Sequence, residues 1–343
     1  MMKKILQIDG GGIRGIIPAT VLAQLEIQLG QPLYHYFDLI TSTSTGAIIG
    51  GAIAAGVPAK DVAHLYVKEG KRLFTPRSWR NPKKRLQEKY DRKPFLEEIR
   101  KTLEANQISS QLKLCELKKP FMATAFNLNS QRTHFIKSWD KKDQNFDLIE
   151  VISWSALSAV YYFGKINAPN YQWCDYHPDI QRYYENCQYK LGDSVETSVQ
   201  KQGAVFQDGG QGAHNSTLGY ALVESLARGW MQDGIFLLSL GTGNPERHKV
   251  DCSKLYLACL FGFTEGLARQ ESIIDQVLAA IHLSDVNPMA KLEPSFKFKR
   301  LDVTIKFKEY QLDNVKCIPQ YQEYAQKLCQ PEKLNEIVKM LQA

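Results

Sequence analysis

The chain has 343 residues, 44% of them hydrophobic, with a formal net charge of +7. That is ample for a full core, and an α/β fold of this length can form one domain. The most apolar window, residues 48–57, is far shorter than a bilayer span, and the seven scattered cysteines contain no CxxC pair, so a membrane-spanning protein, a zinc site and a disulfide framework are all disfavoured.

Residues 4–9 (KILQID) alternate and end in a glycine run, which predicts a buried strand followed by a tight turn. Lys3 and Lys4 lead straight into this apolar run, without the long apolar region and cleavage site of a signal peptide, so a cytoplasmic or peripheral-membrane protein is expected; non-classical export stays compatible with this. Residues 16–29 carry apolar side chains at helical spacing, with Pro18 near the start where a missing N–H costs little. A second short strand over 37–42 and a helix of small and apolar residues over 45–55 follow. Strand, helix, strand, helix predicts a parallel βαβ arrangement of the usual right hand, and hence an α/β fold.

Helix continues over 61–74, and then comes a strongly basic segment. Between Lys71 and Lys93 stand ten lysines and arginines against only Glu88 and Asp91, with Trp79 among them. Such a run suits an anionic surface or is simply a solvated loop. Helices are predicted over 94–105 and 148–160, and strands over 121–127 and 132–138. Residues 164–202, rich in Tyr, Trp and Asn, lack periodicity and read as an elaborated loop or lid. A strand over 204–207, a helix over 216–228, a strand over 235–240, an amphipathic stretch over 265–282, a strand over 301–307 and a closing helix over 331–341 complete the chain. There is no internal repeat and no linker, so a single domain over residues 1–343 is expected.

Three strand-end sequences carry chemistry. The first is Asp9-Gly10-Gly11-Gly12-Ile13-Arg14-Gly15. Glycines between a strand and a helix let backbone N–H groups converge, a cradle for a phosphate or for the oxyanion of acyl transfer. The second is Ser42-Thr43-Ser44-Thr45-Gly46, where a sharp strand-to-helix turn can expose the Ser44 hydroxyl; taken alone it also reads as an ordinary helix cap. Gly46, Ala47, Gly50 and Gly51 are the small neighbours such a crowded turn needs. The third is Phe206-Gln207-Asp208-Gly209-Gly210, which is either a simple turn or a carboxylate placed to meet another strand end.

Their order and context resemble patatin-like phospholipases, which carry a DGGG-x-[KR]-G run, then GxSxG, then DG[GA]. Residues 155–163 (SALSAVYYF) and 238–243 (LSLGTG) are also similar to family segments. The likeness spans about residues 4–243, leaving 244–343 as a C-terminal extension of helix and strand without a matching motif. It implies a three-layer α/β/α sandwich around a mainly parallel sheet, with Ser44 as nucleophile and Asp208 as base of a Ser–Asp dyad. It places Gly10, Gly11, Gly12 and Arg14 in the oxyanion-hole motif and Ser42, Gly46, Gly209 and Gly210 in the elbow and turn motifs. The implied reaction is hydrolysis of fatty-acyl esters of membrane lipids through an acyl-enzyme, with no metal and no cofactor. The chain departs from the pattern at Ser42, where the family has glycine, at Val160, and at His214-Asn215-Ser216-Thr217.

Rival readings predict different residues. A dinucleotide fold would end its second strand in an acidic residue, where this chain has Ser42-Thr43-Ser44, and Asp9 would face the pyrophosphate. A Ser–His–Asp hydrolase would need several strands before its elbow, and among the seven histidines only His214 lies near a motif. A catalytically weak or silent lipid- or nucleotide-sensing protein of the same fold is the alternative of a different class. The basic segment and the aromatic residues 161–189 are expected to face a peripheral membrane surface, and nucleic acid is not expected as a partner because no binding motif accompanies the basic run.

Overall fold

The structure, a computed structural model, describes residues 2–77, 88–174, 200–212, 214–246 and 296–343. Its elements in chain order are β1 (Lys3–Ile8), α1 (Ile16–Leu29), β2 (Leu39–Thr43), α2 (Thr45–Ala55), α3 (Ala59–Leu73), α4 (Lys93–Ala105), β3 (Phe121–Asn127) and β4 (Arg132–Lys137). There follow α5 (Leu148–Ala156), β5 (Ile166–Cys174), β6 (Gln200–Asp208), α6 (Leu218–Ala227), β7 (Ile235–Leu240), β8 (Asn244–Pro245), β9 (Phe296–Leu301), β10 (Thr304–Ile305), α7 (Ile318–Leu328) and α8 (Pro331–Gln342).

An eight-stranded sheet runs β5-β6-β3-β2-β1-β7-β9, with β4 also paired to β3. β1 lies parallel to β2 and β7, β3 is parallel to β2, and β9 is parallel to β7. β4 and β6 both run antiparallel to β3. The mainly parallel centre follows from the βαβ start, and helices packed on both faces make most of its strand side chains apolar.

Period-two alternation sorts those side chains between two cores. Ile5, Leu39, Ile235, Leu237 and Phe296 pack with Leu218 and Ala221 of α6 on one face. Leu6, Ile8, Ile40, Phe236 and Leu238 point the other way, into a larger core shared with α1, α2, α3, α5, α7 and α8. Helices therefore cover both faces, as a three-layer α/β/α arrangement requires.

Several boundaries differ from those predicted. The helix expected over 148–160 ends at Ala156, and Ser158 Oγ turns back to donate to the Trp154 carbonyl. The region expected as a loop or lid over 164–202 holds β5, which pairs with β6, the element that contains the strand expected over 204–207. A register shift between Ala168 and Gln172 breaks the alternation there, which hides β5 from a period-two search. The strand expected over 301–307 is instead the end of β9 and the short β10, and α7 has no counterpart in the expected elements. Residues 78–87 of the basic segment, 175–199 of the aromatic stretch and the amphipathic stretch over 265–282 lie outside the described residues.

Candidate active site

The sheet register brings Ser44 and Asp208 together. Thr124 pairs with Phe135 of β4 on one side and Thr43 of β2 on the other. The next residue, Ala125, pairs with His134 of β4 and with Asp208 of β6. β2 and β6 therefore share one edge of β3 and run into each other end to end, their C-terminal residues meeting at Thr43 and Asp208. At that junction the Ser44 hydroxyl donates to Asp208 Oδ2 at 2.7 Å. The chain must leave the edge at once, and Gly209 lets it do so: a Cβ there would overlap the Thr124 side chain and lie 2.5 Å from its carbonyl oxygen.

Ser44 sits at the apex of the strand-to-helix turn with φ 54° and ψ −127°, in the left-handed half of backbone space that side chains other than glycine rarely occupy. Its own N–H donates to Ser155 Oγ at 3.0 Å, which ties the strained turn to the end of α5. Below it, Gly46 packs directly on β1; a Cβ there would stand 2.8 Å from the Asp9 carbonyl oxygen. Ser42 occupies an ordinary strand position and needs no positive φ. Its side chain is fully buried, with a hydroxyl that has no hydrogen-bond partner among the described residues, and Gly50 of α2 makes room for it: a Cβ on Gly50 would lie 3.1 Å from Ser42 Oγ.

The glycine turn lies against the same junction. A Cβ on Gly10 would come within 2.9 Å of Ser44 Cβ. The Gly10 N–H is engaged by the Asn215 carbonyl at 3.2 Å, and its carbonyl accepts from Thr242 Oγ1 at 2.6 Å and Asn215 Nδ2 at 3.2 Å. Among the described residues the N–H groups of Gly11 and Gly12 donate to no backbone carbonyl, whereas that of Ile13 donates to Leu312 at 2.8 Å. Arg14 is buried and turned toward the backbone: its guanidinium donates to the carbonyls of Gly11 and Gly243 and stacks 3.7 Å from the Tyr310 ring. It braces the turn more than it faces the serine.

Burial pushes the Asp208 carboxyl up to about 7, against the opposing pull of hydrogen bonds from Ser44 and from the Gly210 N–H. A carboxylate so poised can accept a proton near neutrality. His214 is committed elsewhere: Nδ1 bonds the Thr133 hydroxyl at 2.9 Å and Nε2 the Tyr220 hydroxyl at 3.2 Å. A Ser–His–Asp triad is not assembled around Ser44 among the described residues.

A cavity of about 490 Å³ opens over the junction and is lined by Gly10, Gly11, Gly12, Ser44, Asp208 and Gly210 at one end. Much of the rest of its lining is aromatic and aliphatic, with Phe74, Phe95 and Phe163 packed edge to face and Ile48 and Leu157 also contributing. Asp313, which follows the Leu312 that contacts the glycine turn, also lines the cavity and accepts from Tyr90 at 2.7 Å and from Lys89 Nζ at 2.5 Å.

Ser44, Asp208 and the Gly10, Gly11 and Gly12 turn are thus neighbours, Ser42 and Arg14 pack behind them, and further residues join the site. Ser155 and Asn215 fell inside segments already noted as distinctive, but nothing local marked their hydrogen bonds to the elbow and the glycine turn. Leu312 and Asp313 come from a stretch without a motif.

A family model described as Patatin-like phospholipase matches residues 6–215. A cGAMP-activated phospholipase of Pseudomonas aeruginosa is 31% identical over 166 residues, covering 46% of this chain and 47% of that protein. Patatin-17 of Solanum cardiophyllum is 31% identical over 183 residues, 47% of this chain and 43% of that one. A cUMP-AMP-activated phospholipase of Escherichia coli is 43% identical over 75 residues, 22% and 23% of the two chains. The chain spans about half the length, or less, of these relatives.

Proposed function

The chain belongs to the patatin-like phospholipase family, and we propose that it hydrolyses fatty-acyl esters of membrane lipids with Ser44 as nucleophile and Asp208 as the base that activates it directly. The observation that carries this reading is the 2.7 Å hydrogen bond between them at the floor of an apolar cavity. Asp208 takes the hydroxyl proton as Ser44 Oγ bonds to the ester carbonyl carbon. The negative charge that develops on the carbonyl oxygen falls to the N–H groups of Gly11 and Gly12, which have no backbone acceptor of their own among the described residues. The tetrahedral intermediate breaks its bond to the lipid alkoxide, which leaves with the proton from Asp208. Water then attacks the acyl-enzyme by the reverse sequence, Asp208 accepting its proton and returning it to Ser44.

The cavity suits an acyl chain at its Phe74–Phe95–Phe163 end, where burying each methylene is worth about 0.8 kcal/mol. Its mouth suits a lipid surface. Val160, Tyr161 and Leu312 are 44%, 60% and 39% exposed, with Tyr161 and Leu312 also lining the cavity, side chains that can meet lipid. No helix among the described residues is long and apolar enough to cross a membrane.

Release of free fatty acid from vesicles of mixed phospholipids tests the reading, with triglyceride emulsion as a second substrate. Two relatives are named for activation by cyclic nucleotides, so the assay carries arms with cGAMP and with cUMP-AMP. Fatty acid released by wild type and not by Ser44→Ala supports the proposal. No release from either substrate, with or without nucleotide, contradicts it.

A further inference from the structure

Behind the glycine turn, on the face of the sheet covered by α6, one row of side chains is polar, buried at Thr41, Gln7 and Ser239 and largely so at Arg300. The register sets Thr41, Gln7, Ser239 and Arg300 side by side across β2, β1, β7 and β9. Ser239 Oγ donates to Gln7 Oε1 at 2.6 Å, Gln7 Nε2 donates to Asp9 Oδ1 at 2.8 Å, and Arg300 donates to Ser239 Oγ at 2.7 Å. The same guanidinium bridges two carboxylates, Asp9 at 2.6 Å and Asp302 at 2.8 Å.

Both bridges lead to the glycine turn. Asp9 immediately precedes Gly10, and its buried carboxylate has Arg300 as its ion-pair partner. Asp302 accepts from the Gly243 N–H at 2.9 Å, and a Cβ on Gly241 would collide with its carboxyl group, so the 241–243 turn is moulded onto it. That turn in its own right holds the glycine turn, through Thr242 Oγ1 on the Gly10 carbonyl and through the Gly243 carbonyl on Arg14.

We propose that Arg300, which lies beyond the family-matched residues 6–215, is a positioning residue: it neutralises Asp9 and fixes the glycine turn so that the Gly11 and Gly12 N–H groups meet the developing oxyanion. This rests on the hydrolase reading above. An unpaired carboxylate next to Gly10 would oppose the negative charge that those N–H groups stabilise, and the charge of the transition state would feel it more than the neutral ground-state ester. Arg300 therefore acts on turnover and little on substrate binding. The C-terminal segment that carries it is part of the working site, although it carries no family motif.

The test compares wild type, Arg300→Met, Arg300→Lys and the double variant Asp9→Asn with Arg300→Met in steady-state hydrolysis of p-nitrophenyl butyrate, each checked for folding by circular dichroism. Arg300→Met is expected to lower kcat by about 10- to 100-fold, a cost of about 1.4–2.7 kcal/mol, with KM changed less than about threefold. Arg300→Lys keeps the charge and is expected to retain most of kcat. The double variant removes the carboxylate charge along with the cation and is expected to recover at least tenfold over Arg300→Met when the single loss is near the upper figure. A kcat for Arg300→Met equal to wild type, a loss seen only in KM, or a double variant no faster than Arg300→Met would overturn the proposal. Should Arg300→Met not fold, the double variant and Arg300→Lys are read against wild type by the same criteria, and failure of the double to fold as well marks a purely structural role. Wild type that hydrolyses no ester with or without cGAMP or cUMP-AMP contradicts the hydrolase reading instead, and the rate at which a fluorophosphonate labels Ser44 then reads the effect of Arg300.

Discussion

Ser44 and Asp208 meet because β2 and β6 abut end to end along one edge of β3, which sets the serine hydroxyl 2.7 Å from the carboxylate with no histidine between them. On the proposed reading the base is a buried carboxyl held at the end of a strand, and its protonation governs turnover. Burial pushes it up to about 7. Only the ionised form can take the Ser44 proton. Initial rates of p-nitrophenyl butyrate hydrolysis, measured from pH 5 to 9, are therefore predicted to rise about tenfold per unit below about pH 7 and to level off above it. A rate that is flat across this range would remove Asp208 from the role of base.

The same burial has a cost in stability, and its sign is opposite to that of an ion-paired carboxylate. A raised carboxyl binds its proton more tightly in the folded chain, so the stabilisation is full below the unfolded value of 3.8 and is lost as pH rises to about 7. Asp208→Asn keeps the shape and removes the buried charge. It is predicted to be inactive yet more stable than wild type at pH 8, by roughly 1–3 kcal/mol in urea melts, with the difference shrinking toward pH 4. Equal stability at pH 8 would show that the carboxylate is better solvated than its surroundings indicate.

Ser155 holds the strained turn from behind. Replacing it with alanine deprives the Ser44 N–H of its acceptor, at a cost of about 1–3 kcal/mol for a buried donor left unmade. Ser155→Ala is predicted to lower both the melting temperature and kcat, the latter about tenfold, because the nucleophile loses the bond that fixes its φ of 54°. A variant that loses stability and keeps full kcat would show that the elbow holds its shape unaided.

Ser42 makes the opposite prediction. Its hydroxyl is buried without a partner among the described residues, and the strand geometry there asks nothing of the side chain. Ser42→Ala is predicted to be more stable than wild type by about 1 kcal/mol in urea melts, with turnover within about threefold. Marked destabilisation would mean that the hydroxyl makes a bond the structure does not contain.

The first half of the fold was legible because its signals are local. The alternation before Gly10, the helical spacing after Gly15 and the run of small residues after Ser44 each declare an element within a few residues. Asp208 was legible only in company with the two earlier motifs, since an Asp-Gly pair alone is a turn. What stayed hidden depends on register between distant strands. Arg300 reads as one more basic residue in FKFKRL until β9 is laid beside β7 and its guanidinium falls against Ser239 and Asp9. Leu312 acquires meaning only when its carbonyl meets the Ile13 N–H, some three hundred residues earlier in the chain. β5 was lost for a different reason, because the irregularity between Ala168 and Gln172 destroys the periodicity by which a strand is recognised.

Covalent capture of the serine tests the central claim most directly. Wild type, Asp208→Asn and Ser44→Ala are treated with a long-chain fluorophosphonate, digested, and followed by mass spectrometry over time. The predicted result is a single adduct on the peptide containing Ser44, absent in Ser44→Ala and formed at least about a hundredfold more slowly in Asp208→Asn, as general-base assistance of this kind is worth. An adduct on another residue, or one that forms on Ser44 at the same rate with and without the Asp208 carboxylate, would contradict a serine activated directly by aspartate.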